Sequence, residues 1–306
     1  MGRFINPFTD WGFKRIFGQE FSKMLLIDFL NDLLVGERHI TDVTYHDKEQ
    51  LAETMDQRCM IYDIYCTTDT GERIIVEMQN KPHPYFLDRA LCYASRCVIE
   101  QVKKGKKKDV AETDAKDDEL AKAMGANSMN YHFLPVYTIC FMNFKDNALK
   151  KFRTDVVLAD RDDHRIVSDK LRFIYLTLPL FKEHEEECST NFEKWIYVLK
   201  HMEALERMPF TSQKQVFKVL AEYADRHALN QEENERYEES LWRARENYDY
   251  YIDAIRKGRA EGRAEGSAEK ERTMALSLLH NGVSPELIAK SCSLSVEEIE
   301  ALGKQD

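Results

Sequence analysis

The chain has 306 residues, 43% hydrophobic and 32% charged, with a formal net charge of −10. That length suits one to two domains with a sizeable core, and the acidic balance argues against a globally basic nucleic-acid binder or adhesion to an anionic membrane. Any DNA binding would need a local patch that outweighs this overall field. Seven cysteines lie apart without a CxxC pair, and no apolar run approaches the length of a membrane span; both suit free thiols in a reducing cytoplasm. The opening MGRFINPFTDWGFKRIF also lacks an apolar core before a small-residue cleavage site, so a cytoplasmic protein is expected.

In chain order, Thr9 or Asp10 caps a short helix whose Phe13, Ile16 and Phe17 follow at helical spacing. A second helix carries the stripe Leu25, Leu26, Phe29, Leu30, Leu33 and Leu34, and Gly36 stops it. Residues 38–49 alternate as a first strand. Residues 58–66 and 72–79 read as two further strands joined by Asp69-Thr70-Gly71, with Gly71 where a left-handed residue is needed. Pro82 and Pro84 end that hairpin, and residues 85–102 form a helix with Leu87, Leu91, Ala94, Val98 and Val102 on one side. Arg89, Tyr93, Arg96 and Glu100 recur on another side.

Residues 103–130 begin with KKGKKK and then lack an apolar face, which predicts an exposed insertion. Its basic run either touches DNA or is a solvated loop. Strands follow over 133–144 and 172–178, giving the order α-β-β-β-α-β. Residues 190–207 and 212–228 read as amphipathic helices, the first with Phe192, Trp195, Ile196, Leu199 and Met202 on its face. The charged stretch 232–272 contains GRAE-GRAE-GSAE, with glycines at 258, 262 and 266. It is either a loosely helical linker or a stripe that lets helices approach. The last segment, 273–303, is a compact helical unit with a Ser284-Pro285 start and a Ser295/Glu298 capping box. It resembles a helix-turn-helix in outline, but Glu297, Glu298 and Glu300 would repel phosphate. Packing or homo-oligomerisation is the favoured role. The expected division is 1–182, a helical region 183–256, and a charged linker with a helical tail at 257–306.

The chemistry sits on the hairpin. If Thr68 faces Glu72, then Asp63 faces Glu77 and Gln79 shares their side of the sheet, with the two carboxylates about 5 Å apart at Cβ. Facing acids among Ile61, Ile64, Ile74, Ile75 and Val76 need a shared proton, a basic partner or a divalent cation. The alternative is an edge hairpin whose two solvated acids pair with lysines. A metal-holding hairpin of this kind suits phosphodiester cleavage, because divalent cations stabilise the anionic transition state and acidify water.

At this point the chain resembles the PD-(D/E)xK nuclease superfamily, and most closely its branch of nuclease-family transposases or recombination-promoting nucleases. The resemblance is carried by Asp10, Phe13, Lys14 and Phe17, the Leu25–Leu34 helix, Asp63, Glu77-Met78-Gln79, Arg89 with Tyr93, and the Pro135–Phe144 strand. It covers residues 4–180 well and the remainder loosely. The resemblance implies a restriction-endonuclease-like α/β fold with an αβββαβ core and a mixed sheet, followed by a helical C-terminal region. It implies a DNA endonuclease using Mg²⁺ or Mn²⁺, with Asp63 and Glu77 as metal ligands and Gln79 where the superfamily usually has lysine. Asp10 either completes the acidic cluster or serves its helix. Lys14, Lys81 or Arg89 would supply the missing cation, with Tyr93 alongside; Arg89 either contacts phosphate or pairs with Glu77 or Asp63. A degenerate fold that binds DNA or a protein without cutting is the competing reading.

Overall fold

The computed structural model describes residues 2–46, 62–108 and 131–303, with side chains of 104–108 set aside. Helices α1 (Asp10–Phe17) and α2 (Lys23–Leu33) come first. Thr9 is the cap of α1: its Oγ1 accepts from Gly12 N–H at 3.0 Å. Phe13, Ile16 and Phe17 then fall on one buried stripe. Ser22 precedes α2 without capping it, donating instead to the Arg15 carbonyl at 2.8 Å.

Six strands follow: β1 (Val43–Tyr45), β2 (Ile64–Thr68), β3 (Arg73–Gln79), β4 (Val136–Met142), β5 (Arg153–Ala159) and β6 (Ile166–Thr177). They form one sheet in the order β1-β2-β3-β4-β6-β5. β3, β4 and β6 are parallel neighbours, and the other pairings are antiparallel. The parallel step from β3 to β4 needs a crossover, and α3 (Phe86–Lys108) supplies it. The expected helix–strand order is therefore present. Several elements differ in extent: β1 is Val43–Tyr45 within the expected 38–49, the later helices are Asn191–His201 and Val216–Ala224 rather than 190–207 and 212–228, the helix after the hairpin runs through Lys108, so KKGKKK continues α3 rather than opening a loop, and β6 starts at Ile166 rather than 172. The strand β5 was not expected at all. Residues 109–130, and the expected strand positions 47–49 and 58–61, lie outside the described residues.

Strand alternation divides the core between two faces. One side chain set, including Ile64, Ile74, Val76, Ile139, Phe141 and Leu176, packs with α1, α2 and two later helices, α4 (Asn191–His201) and α5 (Val216–Ala224). Phe17, Phe29, Phe141 and Trp195 meet there with ring centroids 5.4–6.4 Å apart. The other set, including Tyr65, Ile75, Cys140 and Tyr175, packs under Phe86, Ala90, Tyr93, Ala94 and Cys97 of α3. That stripe replaces the expected one in part, since Leu91 is 50% exposed. The expected break at residue 182 lies inside a compact unit that runs to Arg243. A second compact unit spans 244–306. One helix, α6 (Gln231–His280), contributes to both and carries the glycine repeat as continuous helix. In the second unit α7 (Pro285–Ala289) and α8 (Val296–Leu302) close on Ala275 through Ile288 and Ile299, and the Ser295/Glu298 capping box is formed.

Candidate active site

The hairpin β2–β3 has the register expected from its turn. Thr68 N–H donates to the Glu72 carbonyl and Gly71 N–H to the Thr68 carbonyl, both at 3.0 Å. Gly71 takes φ +93°, a conformation that costs a side-chain-bearing residue about 1–2 kcal/mol. The ladder pairs Ile64 with Val76, which sets Asp63 against Glu77 one step beyond the end of β2. Two bonds tie Asp63 to this end of β3. Met78 N–H donates to Asp63 Oδ2 at 2.7 Å, and Asp63 N–H donates to Glu77 Oε1 at 3.3 Å. Glu77 is 6% exposed.

Asp63, Glu77 and Gln79 share the side chain parity of Tyr65 and Ile75, whose face is covered by α3. Helix α3 sends Arg89 and Tyr93 toward them. Arg89 Nη2 donates to Gln79 Oε1 at 2.8 Å, and Gln79 Nε2 donates to the Lys81 carbonyl at 3.0 Å. The Arg89 guanidinium also lies 5.5 Å from the Phe86 ring centroid and 5.9 Å from that of Tyr93, within cation–π range. Asn143 N–H donates to the Gln79 carbonyl at 2.9 Å, so the end of β3 is anchored on β4.

The site is electrostatically one neighbourhood. Burial, and then the charge of Glu77, push the Tyr93 hydroxyl up to about 12, while Arg89 acts in the opposite sense and Asp63 adds to the rise. Cys140 stands beside Glu77 on the next strand, and burial followed by Glu77 raises its thiol well above the ordinary value. Both groups are therefore neutral at physiological pH. The residue pattern alone did not single out Cys140 or the Met78 N–H. The parallel register is what brings Cys140 in, and a backbone donor leaves no mark in a sequence.

The remaining expected residues are arranged differently. Asp10 is paired with Lys14 one turn along α1, and its side chain is 66% exposed. Both line a cavity of about 230 Å³ with Trp11, Arg15, Glu233 and Arg236, a lining that does not include Asp63 or Glu77. Among the described residues no three His, Cys, Asp or Glu side chains gather as a metal-ion set. Asp10 thus does not complete a three-acid cluster, because its helix turns it toward Lys14. Lys81 reaches the site through its backbone carbonyl, and the residue itself is exposed.

A parallel βαβ unit with an acid pair at the carboxyl end of its first strand is the setting in which a family assignment can be made. A family model described as PD-(D/E)XK nuclease family transposase matches residues 7–254. The chain belongs to this family. The match spans the hairpin, α3 and all six strands of the sheet. No curated protein and no solved structure matches significantly.

The donor set fits a hard divalent cation. Mg²⁺ is commonly held by one or two carboxylates, with waters and substrate phosphate oxygens filling its octahedron. Asp63 and Glu77 supply two carboxylates on a rigid hairpin, with Asp63 oriented by the Met78 N–H. Burial keeps the neighbouring Cys140 thiol protonated, and among the described residues no His or Cys joins Asp63 and Glu77 as a third ligand, the kind of set that would favour zinc.

Proposed function

We propose that this family member is a Mg²⁺- or Mn²⁺-dependent DNA endonuclease that hydrolyses phosphodiesters in the cytoplasm. The observation that carries this reading is the pairing of Asp63 with Glu77 across the hairpin, with the Asp63 N–H on Glu77 Oε1 and the Met78 N–H on Asp63 Oδ2, beside the Gln79–Arg89 pair. Asp63 and Glu77 would hold the ion. When bound, such an ion acidifies a water and offsets charge on the phosphoryl oxygens.

The chain's own residues do the rest. The Met78 N–H fixes the orientation of Asp63, so the carboxylate does not have to reorganise as charge develops. Arg89 provides a permanent cation where the superfamily's lysine would have provided one. Gln79 aims that cation through its amide oxygen and is itself held at its amide nitrogen by the Lys81 carbonyl. Phe86 and Tyr93 support the guanidinium with their rings. Tyr93, neutral at working pH, adds bulk without adding negative charge.

Nicking of supercoiled plasmid tests this. The purified chain should nick with Mg²⁺ or Mn²⁺ and not with EDTA. Asp63→Asn and Glu77→Gln should each abolish nicking while leaving the urea unfolding midpoint in the native range. A second reading is favoured by one specific observation: both ends of the Gln79 amide are already engaged, leaving no lysine on β3 to act. On that reading the fold binds DNA without cutting it, and the wild-type chain retains plasmid in a gel shift without nicking it under any divalent cation.

A further inference from the structure

The unit 244–306 carries an apolar seam on its long helix that lies outside the unit's own core. Ala244, Tyr248, Tyr251, Ile252 and Ile255 recur along α6 at the three- and four-residue steps of a helix-packing seam. Tyr248 is 58% exposed, and Ala244, Tyr251, Ile252 and Ile255 are partly buried. The core of this unit gathers further along, around Ala275, Ile288 and Ile299, and does not include them. Flanking charges divide sharply at Ile255. Residues 246–253 hold three acids (Glu246, Asp249, Asp253) and no base, whereas residues 256–263 hold four bases (Arg256, Lys257, Arg259, Arg263) and one acid.

We propose that residues 244–266 pair antiparallel with the same segment of a second copy of this chain, crossing at Ile255. Charge selects both the partner and its direction. An antiparallel copy lays each acidic half on the other's basic half, while a parallel copy stacks like on like. Shape agrees. With Ile255 on the two-fold axis, Tyr248 meets Gly262, Ile252 meets Gly258 and Ala244 meets Gly266 of the partner, so large side chains enter the gaps left by small ones. A Cβ at any of the three glycines would meet nothing within 4 Å in the single chain, so nothing within it requires them. Each nonetheless costs the helix about 1 kcal/mol relative to alanine. Arg245 then faces Glu265 and Asp253 faces Lys257; Asp249 opposite Glu261 is the one like-charge encounter in this register. The contact is self-complementary and closes as a dimer. Its seam is about 34 Å long at 1.5 Å per residue.

The full chain tests the proposal by light scattering across micromolar concentrations. The expected result is a dimer that falls to a monomer in Tyr248→Glu/Ile255→Glu, with helix content by circular dichroism unchanged. A second measurement reads direction without removing the contact. With a short bifunctional thiol reagent, Ile255→Cys should cross-link to itself above the wild-type background. Tyr248→Cys should cross-link to Gly262→Cys in mixed samples and not to itself. A wild-type monomer at every concentration, a dimer indifferent to the glutamates, or self-cross-linking of Tyr248→Cys would each overturn it.

Discussion

Replacing Gln79 with lysine restores the residue type that the resemblance to the superfamily would put there, yet on the proposed function it should impair nicking. Gln79 Oε1 accepts from Arg89 Nη2 at 2.8 Å. Lysine removes that acceptor and sets an ammonium near a guanidinium. Two positive charges about 4 Å apart repel by about 4 kcal/mol at an effective dielectric of about 20. The conflict resolves by moving one cation away or deprotonating it, and either outcome misplaces the charge proposed to face the phosphoryl group. Loss of one such preorganised contact typically costs about 10²–10³ in kcat. Gln79→Lys should therefore slow single-turnover plasmid nicking at saturating Mg²⁺ by that factor. The exchange Gln79→Lys/Arg89→Gln returns one cation and one amide to the same pair, and should recover activity to within about tenfold of wild type, about 1.4 kcal/mol. Urea unfolding of each variant separates lost aim from lost fold. A Gln79→Lys single variant that nicks as fast as the wild-type chain would refute the reasoning, because it would show that Arg89 is not the working cation.

Two further outcomes follow from the scaffold. Gly71→Ala should lower the unfolding free energy by about 1–2 kcal/mol, because its φ is +93° and a Cβ would lie 2.6 Å from Leu134 Cδ1; an unchanged urea midpoint would contradict this. Arg172→Met should destabilise the chain at pH 7 by an amount that shrinks in acid. The hydrogen bond from Arg172 holds Glu37 below the usual carboxylate range, and for Asp155 burial acts upward but is outweighed by hydrogen bonds from Arg153 and Arg172. Carboxylates depressed in the fold contribute stability above their unfolded pKa and lose it as pH falls through the folded value. The gap between wild type and variant should thus narrow as pH drops from 7 toward about 4, and a gap that holds constant across that range would be the contrary result.

The hairpin was legible because its information is local. Gly71 sets the turn, the turn sets the register, and alternation assigns Asp63, Glu77 and Gln79 to one face. The αβββαβ order was legible for the same reason, from apolar stripes and the Pro82–Pro84 break. Strand β5 is not legible in the sequence because it lies at the sheet edge, where its Val156 and Leu158 are 40% and 54% exposed and no apolar alternation distinguishes it from a loop. Helix α3 outran its expected end because KKGKKK carries no apolar stripe. The Gln79–Arg89 bond depends on how α3 folds back over β3 after the proline loop, which residue spacing does not encode. Asp10 read equally well as an acid for the site or for its helix, and in the fold it pairs with Lys14 one turn along α1.

The central claim is that Asp63 and Glu77 together hold one divalent ion, and titration of Mn²⁺ into the full chain, followed by electron paramagnetic resonance, tests it without reference to cleavage. Wild type should take up Mn²⁺ in competition with Mg²⁺, and Asp63→Asn and Glu77→Gln should each lose that uptake while remaining folded. Mn²⁺ bound with wild-type affinity by both variants would place the ion elsewhere and contradict the account.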